Sequence, residues 1–185
     1  MTRSDDPSWL DDAAVIGLGS NLAGEYRSSA ALLEAAVKRL ADLGLAIRAR
    51  SSWWRSSAWP DPSDPPFLNG VALAATDLPP HAALDLLHRV EREFGRRRGV
   101  NAPRTLDLDL IAHGRQRIDA DGLVLPHPRA QERRFVMGPL AEIAPGWRHP
   151  VSGETASALA ARATVGADAR ATGNAALHKR ARNAI

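Results

Sequence analysis

The chain has 185 residues, of which 44% are hydrophobic, enough to bury one core, so length and composition predict a single domain. It has no cysteine, which excludes disulfides, thiolate metal sites and a cysteine nucleophile. Residues 1–152 carry 19 basic and 19 acidic side chains, whereas residues 153–185 carry 5 and 2, so the net charge of +3 lies near the C-terminus. A body without net charge is a poor general binder of nucleic-acid phosphates.

The two ends of the chain are polar. Residues 1–12 are acidic and lack the basic start and apolar stretch of a secretory signal, and no segment reaches the ~18 apolar residues that span a membrane. We therefore expect a cytoplasmic protein. Beyond Gly166 a mixture of Ala, Arg, Thr and Gly has no hydrophobic period, which predicts disorder or a frayed helix. The expected division is a tail at 1–12, a domain at 13–165 and a basic tail at 166–185.

Strand and helix patterns alternate between these ends. Alternating or short apolar runs bounded by turn residues predict strands, and apolar residues at helical spacing predict helices. In chain order, the predicted elements are a strand at 13–18, a helix at 25–43, strands at 45–54 and 67–76, a helix at 81–94 and a strand at 103–112. This is the element order of ferredoxin-like folds. A hairpin-like stretch through Gly114 and Ile118 and helices at 133–143 and 155–163 follow.

The strand at 103–112 carries two carboxylates on one face. Residues two apart on a strand point the same way, so Asp107 and Asp109 stand together while the intervening leucines face the opposite side. Two like charges so close repel each other and are costly to desolvate, which favours a cation between them. Mg²⁺ suits such oxygen ligands and commonly takes one or two carboxylates together with substrate phosphates. The alternative is an amphipathic edge strand with one wet face.

A run of basic residues precedes this strand. Residues 95–104 bring the guanidiniums of Arg96, Arg97, Arg98 and Arg104 close to the two aspartates. A guanidinium binds phosphate oxygens in a bidentate fashion, and a polar loop bounded by glycines can close over a polyphosphate. An arginine run alone is more commonly a solvated loop. Together with the carboxylate pair, the run predicts a phosphoryl-transfer site, where catalysis is mostly positioning and charge neutralisation.

Several motifs occur in the order typical of one family. They are Gly19-Ser20-Asn21-Leu22, Phe67-Leu68-Asn69, Glu91 with Gly95-Arg96, the block Pro103-Arg104-Thr105-Leu106-Asp107-Leu108-Asp109, and Pro126-His127 followed by Arg133 and Phe135. The chain resembles the 6-hydroxymethyl-7,8-dihydropterin pyrophosphokinases, folate-pathway enzymes that transfer a pyrophosphoryl group from ATP to a pterin alcohol and release AMP. The resemblance covers residues 13–160. It implies an α+β fold, a ferredoxin-like layered α/β/α sandwich with a mainly antiparallel sheet.

The resemblance implies an ATP site around the carboxylates. Asp107 and Asp109 match aspartates that hold two Mg²⁺ ions bridging the ATP phosphates, and Asp109 with a metal would also activate the attacking hydroxyl. Arg96 and Arg104 match catalytic arginines that neutralise the growing charge. The residues that match ATP ligands are Glu91, Arg98, His127 and Arg133.

The matched ATP ligands have structural alternatives. Arg98 can be a solvated side chain on a loop, and Glu91 can form a salt bridge on a helix surface. His127 lies in a Pro-His-Pro turn, where a histidine is commonly a surface or capping residue. Arg134 follows Arg133 directly, so the match could slip by one residue.

The resemblance also implies a pterin site. Phe67 and Phe135 match two rings that stack on the flat pterin, and Asn69 matches the residue that reads its polar edge. An ordinary core position is the alternative for both phenylalanines. Residues 56–66 contain four prolines and no periodicity, which predicts a long functional loop. The backbone groups in this loop that match pterin contacts are those of Ser56, Ser57 and Trp59.

The expected partners are ATP and a pterin, without nucleic acid or membrane, and the expected state is a monomer. Two other functions stay open. Another Mg²⁺-dependent transferase, such as a nucleotidyltransferase, also uses paired aspartates but releases pyrophosphate instead of AMP. An RNA-binding module of the same strand order would present stacking aromatics on an open sheet, yet Asp107 and Asp109 occupy one of its central strands.

Overall fold

The computed structural model describes residues 7–58, 63–95, 105–120 and 122–173. The strands are β1 (Ala14–Ser20), β2 (Ala46–Arg50), β3 (Trp54–Ser56), β4 (Phe67–Ala75), β5 (Asp107–His113), β6 (Ile118–Ala120), β7 (Leu123–Leu125) and β8 (Arg170–Ala171). The α-helices are α1 (Ser29–Asp42), α2 (Pro80–Glu93), α3 (Arg134–Ile143) and α4 (Ala156–Arg162), with short 3₁₀ helices at Pro7–Asp11 and Ala130–Glu132. In this part of the chain no helix combines the length and the apolar character of a membrane span.

Six of the strands form one antiparallel sheet. β1 lies between β5 and β4, and the other edge of β4 pairs with β2 along its C-terminal half and with β3 along its N-terminal half. β8 extends this edge by pairing with β3, whereas β6 and β7 form a separate hairpin. The order β5-β1-β4-β2, with α1 and α2 as crossing helices, is the ferredoxin-like arrangement. The predicted α+β class with a mainly antiparallel sheet is confirmed.

Helices cover both faces of the sheet. α1 and α2 pack on one face in a buried cluster that includes Ile16, Leu33, Leu87 and Leu108. α3 and α4 pack on the other face in a second cluster that includes Val15, Val71, Ile111, Met137 and Leu159. Successive residues of β1 thus enter opposite cores, as strand alternation requires. The α/β/α layering follows the prediction, and the open sheet face that the RNA-binding alternative requires is covered by α3 and α4.

Helix starts follow local capping chemistry. α1 begins at Ser29 rather than at the predicted residue 25, because the Ser28 side chain accepts a hydrogen bond from Ala31 N at 3.1 Å and caps the helix there. α2 begins at Pro80, where the fixed φ of proline suits the first helical position. This start agrees with the predicted helix at 81–94 to within one residue.

The predicted strand at 45–54 is two strands instead of one. Between β2 and β3, Ser51 Oγ accepts a hydrogen bond from Val71 N at 3.0 Å, in place of a regular ladder bond. Ser52 donates from N and Oγ to the Glu142 carboxylate of α3, at 2.8 and 2.7 Å. Trp54 Nε1 donates to the same carboxylate at 2.8 Å. These side-chain bonds interrupt the strand and attach α3 to the start of β3.

The C-terminal segment differs from the predicted tail. The sequence predicts disorder or a frayed helix from residue 166, whereas Arg170 and Ala171 form β8 beside β3 and Ala169 is fully buried. At the other end, Trp9 and Leu10 of the predicted N-terminal tail pack against the α3/α4 core. Both segments are too short to show a hydrophobic period, so the pattern did not reveal them.

An ion-pair group joins the two helices on the first face. Glu93 of α2 accepts from Arg39 of α1 at 2.8 Å and from Arg89 at 3.0 Å. These hydrogen bonds, the one from Arg39 first, lower the pKa of Glu93 to about 2. Because the folded-state pKa lies below the ordinary value of 4.5, ionised Glu93 stabilises the fold above that value, and the contribution is lost as the pH falls towards 2.

We predict that Glu93→Gln lowers the melting temperature at neutral pH, and that the difference from wild type shrinks between the ordinary pKa of 4.5 and the folded-state pKa of about 2. Thermal unfolding at a series of pH values measures this difference. Glu25→Gln, at an exposed carboxylate elsewhere on the surface, serves as the control. A difference in melting temperature that does not shrink as the pH falls to about 2 would contradict the lowered pKa of Glu93.

Candidate active site

On the sheet face towards α3, two positions of β1 carry no side chain of their own, and only the second is left uncovered: a methyl group on Gly17 would lie 3.3 Å from Ile111 Cδ1. Gly17 and Gly19 of β1 point to this face, next to Asp109 and Asp107 of β5 in the strand register. A methyl group placed on Gly19 would lie 3.4 Å from Asn69 Oδ1 and 3.8 Å from Asp107 Cβ. Asp107 and Asn69 therefore lie on the two sides of Gly19, and this side-chain-free position is here termed the bare strip.

The two aspartates line one side of this strip. Asp107 and Asp109 are half-buried on the face towards α3. The leucines between and around them are buried on the opposite face, with exposed fractions of 0% for Leu106, 2% for Leu108 and 4% for Leu110. The alternation predicted from the sequence is present, and the carboxylates point away from the core that anchors their strand.

Arg133 and His127 supply positive and polar groups beside Asp109. Arg133 Nη1 lies 3.6 Å from Asp109 Oδ2, and its guanidinium lies 5.8 Å from the centre of the Phe135 ring. His127 N donates to Ile111 O at 2.8 Å, which ties this residue to β5. The pair Arg133–Asp109 spans 24 positions of sequence, and only the docking of α3 against the sheet brings it together.

His127 also caps its own turn. Its Nδ1 accepts from Arg129 N at 3.3 Å, so in the neutral ring the proton lies on Nε2. Burial lowers the pKa of His127 below its ordinary value, with the Asp109 carboxylate opposing this shift and Arg133 adding to it. The capping role considered from the sequence is present, and the ring interacts electrostatically with Asp109.

Glu91 supports the aspartates from the opposite core. It is only 2% exposed, and its Oε1 accepts from Leu108 N at 2.9 Å, between the two aspartates. Glu91 therefore does not lie on the helix surface, where the structural alternative placed it, because α2 turns this side chain into the core. The sequence signal that could have shown this is the position of Glu91 on the apolar face of α2, beside Val90 and Leu87.

Two of the predicted pterin residues, Asn69 and Phe67, lie on the β4 side of the strip. Asn69 is 6% exposed, and its Nδ2 donates to Ser56 Oγ at 3.1 Å. Phe67 is half-buried and pairs with Ser56 across β4 and β3. Phe135, at the start of α3, packs against the α3/α4 core.

One predicted backbone contact has a partner within the chain. Ser57 N donates to the Asp168 carboxylate at 2.6 Å. Nothing in the pattern of the sequence pointed to Asp168, which lies in the predicted tail. Four further predicted site residues lie outside the described residues, namely Trp59, Arg96, Arg98 and Arg104.

The donor set limits the metal that this site suits. In the part of the chain that the structure describes, no three His, Cys, Asp or Glu side chains converge into a metal cage. Asp107 and Asp109 supply carboxylate oxygens only, and they face the open strip. Two carboxylates fit Mg²⁺, which keeps waters and takes its other ligands from substrate phosphates, and they do not fit a closed zinc site.

The fold is of the α+β class, and its carboxylate pair has the donor set that suits an enzyme of phosphoryl transfer. The model of the 7,8-dihydro-6-hydroxymethylpterin-pyrophosphokinase family matches residues 15–145. The chain belongs to this family. Membership confirms the resemblance seen in the sequence and the prediction of a folate-synthesis enzyme that transfers a pyrophosphoryl group from ATP to hydroxymethyldihydropterin.

Two bacterial relatives support this assignment. The 2-amino-4-hydroxy-6-hydroxymethyldihydropteridine pyrophosphokinase of Synechocystis sp. is 42% identical over 144 residues, which cover 77% of this chain and 71% of the relative. The protein of the same name from Pseudomonas aeruginosa is 41% identical over 136 residues, which cover 73% of this chain and 82% of the relative.

Solved structures agree on the fold. An HPPK-DHPS crystallised in complex with substrates matches 80% of this chain with a TM-score of 0.66 and 12% identity. The wild-type HPPK-DHPS of Plasmodium falciparum matches the same share with a TM-score of 0.61 and 13% identity. This chain covers 42% and 44% of those two chains, less than half of their length. At such identity the likeness establishes the fold alone.

We predict that Glu91→Ala lowers the free energy of unfolding by about 2–4 kcal/mol, because it leaves Leu108 N without its buried acceptor and opens a cavity. Glu91→Gln keeps an acceptor oxygen and should cost about 1 kcal/mol. Urea denaturation measures both variants, and Asp85→Asn, on the exposed face of the same helix, is the control. An equal decrease in the free energy of unfolding for both Glu91 variants would show that the hydrogen bond to Leu108 N does not contribute to stability.

Proposed function

We propose that this chain transfers the pyrophosphoryl group on the bare strip of β1, between the β5 aspartates and Asn69. The supporting observation is the position of Asp107 and Asn69 on opposite sides of Gly19. A carboxylate pair suits the triphosphate end of the reaction, and a buried amide suits a heterocycle. One side of the strip thus carries carboxylates and the other side carries an amide. This arrangement suits ATP and a pterin that bind next to each other.

Asp107 and Asp109 are the proposed ligands of two Mg²⁺ ions. Bound Mg²⁺ would neutralise the triphosphate and make its phosphorus more electrophilic. Both carboxylates face the strip from one strand, and the Arg133 guanidinium lies beside Asp109 at 3.6 Å. Because Asp109 already contacts a cation, the site is suited to exchange that contact for metal and phosphate.

Phosphate binding is assigned to five side chains. Arg133 can turn from Asp109 to a phosphate oxygen, and His127 can donate from Nε2 in its neutral form. Arg96, Arg98 and Arg104 carry the same proposed role from the basic loop, with Arg96 and Arg104 neutralising charge as the bond breaks. Glu91 supports nucleotide binding indirectly. Its carboxylate accepts from Leu108 N and so positions the β5 aspartates.

Pterin binding is assigned to the other side of the strip. The hydrogen bond from Asn69 Nδ2 to Ser56 Oγ leaves the amide oxygen towards Gly19, where it can accept from an N–H of the pterin edge. Phe67 and Phe135 are the proposed stacking rings. Backbone groups of Ser56 and Trp59 and the carbonyl group of Ser57 complete the proposed contacts, since Ser57 N donates to Asp168.

The reaction then balances without a covalent enzyme intermediate. The hydroxymethyl oxygen of the pterin attacks the β-phosphorus, and the bond between that phosphorus and the oxygen of the α-phosphate breaks. AMP leaves with the electron pair of that bond. The Asp109 carboxylate accepts a hydrogen bond from the attacking hydroxyl, takes up the hydroxyl proton as the new bond forms, and releases this proton to solvent. We also propose that the protein acts as a monomer in the cytoplasm.

Asp107→Asn should lower kcat at least about a hundredfold, because it removes a charge that the transferred group needs while keeping the side-chain shape. The measurement is AMP release from ATP and 6-hydroxymethyl-7,8-dihydropterin in the presence of Mg²⁺. Asp119→Asn, at an exposed position of β6, should retain wild-type activity. Near-normal AMP production by Asp107→Asn, with unchanged thermal unfolding, would refute the role of this residue.

Gly19→Ala should leave the fold intact, because its methyl group meets only ordinary contacts at 3.4 and 3.8 Å. The same methyl group occupies the strip, so KM for both substrates should rise about three- to tenfold, equivalent to about 1 kcal/mol. Gly146→Ala is the matched control, because nothing lies within 4 Å of its added methyl group. Unchanged KM values for Gly19→Ala would show that the substrates lie elsewhere.

The products separate this reaction from that of a nucleotidyltransferase. With ATP labelled in the β- and γ-phosphates, the label should pass to the pterin and unlabelled AMP should be released. Labelled free pyrophosphate, with AMP attached to the pterin, would overturn the proposed reaction in favour of nucleotidyl transfer.

A further inference from the structure

Residues 165–172, here termed the C-terminal strap, connect the two elements that carry the proposed pterin contacts. Val165 N donates to Glu132 O at 2.9 Å, and Val165 O accepts from Arg134 N at 2.8 Å, at the start of α3. The strap then pairs with β3, and Thr172 N donates to Trp53 O at 2.9 Å. It lies C-terminal to residues 15–145, the part of the chain that the family model matches.

The strap contacts Phe135 through a glycine. Gly166 has a φ of +68°, a conformation that L side chains rarely adopt. A methyl group on it would lie 2.5 Å from Phe135 Cδ1, so the backbone of the strap lies directly against the ring. The neighbouring turn is closed by Ala169 N donating to Gly166 O at 2.9 Å, with Ala169 fully buried. The strap thereby limits the positions open to the Phe135 ring.

The strap contacts the proline-rich loop through a carboxylate. Asp168 accepts from Ser57 N at 2.6 Å, directly after β3. This bond, followed by one from the Ser57 side chain, holds the pKa of Asp168 below its ordinary value, so the group is ionised at neutral pH. A hydrogen bond to a charged acceptor is stronger than one between neutral groups. The first residues of the loop are therefore attached to the strap rather than free.

We propose that the C-terminal strap positions the pterin-binding wall, with Asp168 as a positioning residue that acts through Ser57. One short segment thus sets both the loop after β3 and the ring at the start of α3. The inference rests on the proposed function, because it assigns the pterin to this wall. It adds a part of the chain outside the family match to the residues that determine substrate affinity.

A purely structural role of the C-terminal strap predicts a different result. If the strap only stabilises the sheet edge, removing the carboxylate lowers the melting temperature and leaves the two KM values unchanged or raises both together. If the strap positions the pterin wall, the KM for the pterin rises alone. The Asp168 side chain is exposed, so its removal opens no cavity in the core.

The experiment compares Asp168→Ala, Asp168→Asn and Glu154→Ala in the full chain. Asp168→Ala should raise KM for the pterin about three- to tenfold, the equivalent of about one hydrogen bond, with KM for ATP unchanged. Asp168→Asn keeps an oxygen that can accept from Ser57 N and should recover most of the loss. Glu154→Ala removes an exposed carboxylate of the same kind, paired with Arg162, and should change neither constant.

Hydrogen exchange at the Ser57 amide gives a second measurement that does not depend on activity. It should be faster in Asp168→Ala than in wild type and in Glu154→Ala. An unchanged pterin KM in Asp168→Ala, or an equal rise in both KM values, would overturn the inference while the wild-type enzyme remains active. Absence of AMP release by the wild-type protein would instead refute the proposed function.

Discussion

The proximity of two like charges on β5 is the constraint around which the site is arranged. Asp107 and Asp109 stand on one face, and their mutual repulsion must be offset by cations or by exposure to water. The structure provides both, since each side chain is half-buried and Arg133 lies 3.6 Å from Asp109. From the opposite core, Glu91 accepts from Leu108 N and holds the backbone between the two aspartates. The backbone of the pair is thus fixed in place while its carboxylates stay partly exposed.

Alternation along the strands separates stability from function. In β5 the leucines enter the α1/α2 core, while the aspartates face α3. In β1 the same alternation places Ile16 and Leu18 in that core and leaves Gly17 and Gly19 on the side of the aspartates. The sheet can therefore leave one strip bare because the opposite face supplies the packing. A side chain at Gly19 would lie between Asp107 and Asn69, where we propose that the substrates bind.

The walls of the strip are joined by contacts between distant segments. Glu142 of α3 accepts from Ser52 and Trp54, so the helix that carries Phe135 is attached to the start of β3. The C-terminal strap makes a second attachment between the same two elements through Gly166 and Asp168. Substrate-binding loops are commonly mobile, and such attachments reduce the conformational freedom that binding must otherwise remove. The geometry of the proposed pterin side therefore depends on α3, β3 and the C-terminal strap together.

Local pattern was enough for much of this protein. The period of two around Asp107 and Asp109, the helical spacing of α1 and α2, the proline at the start of α2 and the order of the motifs are all readable in sequence, because each depends on neighbours a few residues apart. The tertiary structure alone decided that Glu91 is buried against Leu108, that Arg133 meets Asp109, that Asn69 and Asp107 border one glycine, and that Asp168 binds Ser57, 111 positions away. Such contacts depend on strand order and helix docking, which bring together side chains whose sequence positions carry no mutual signal.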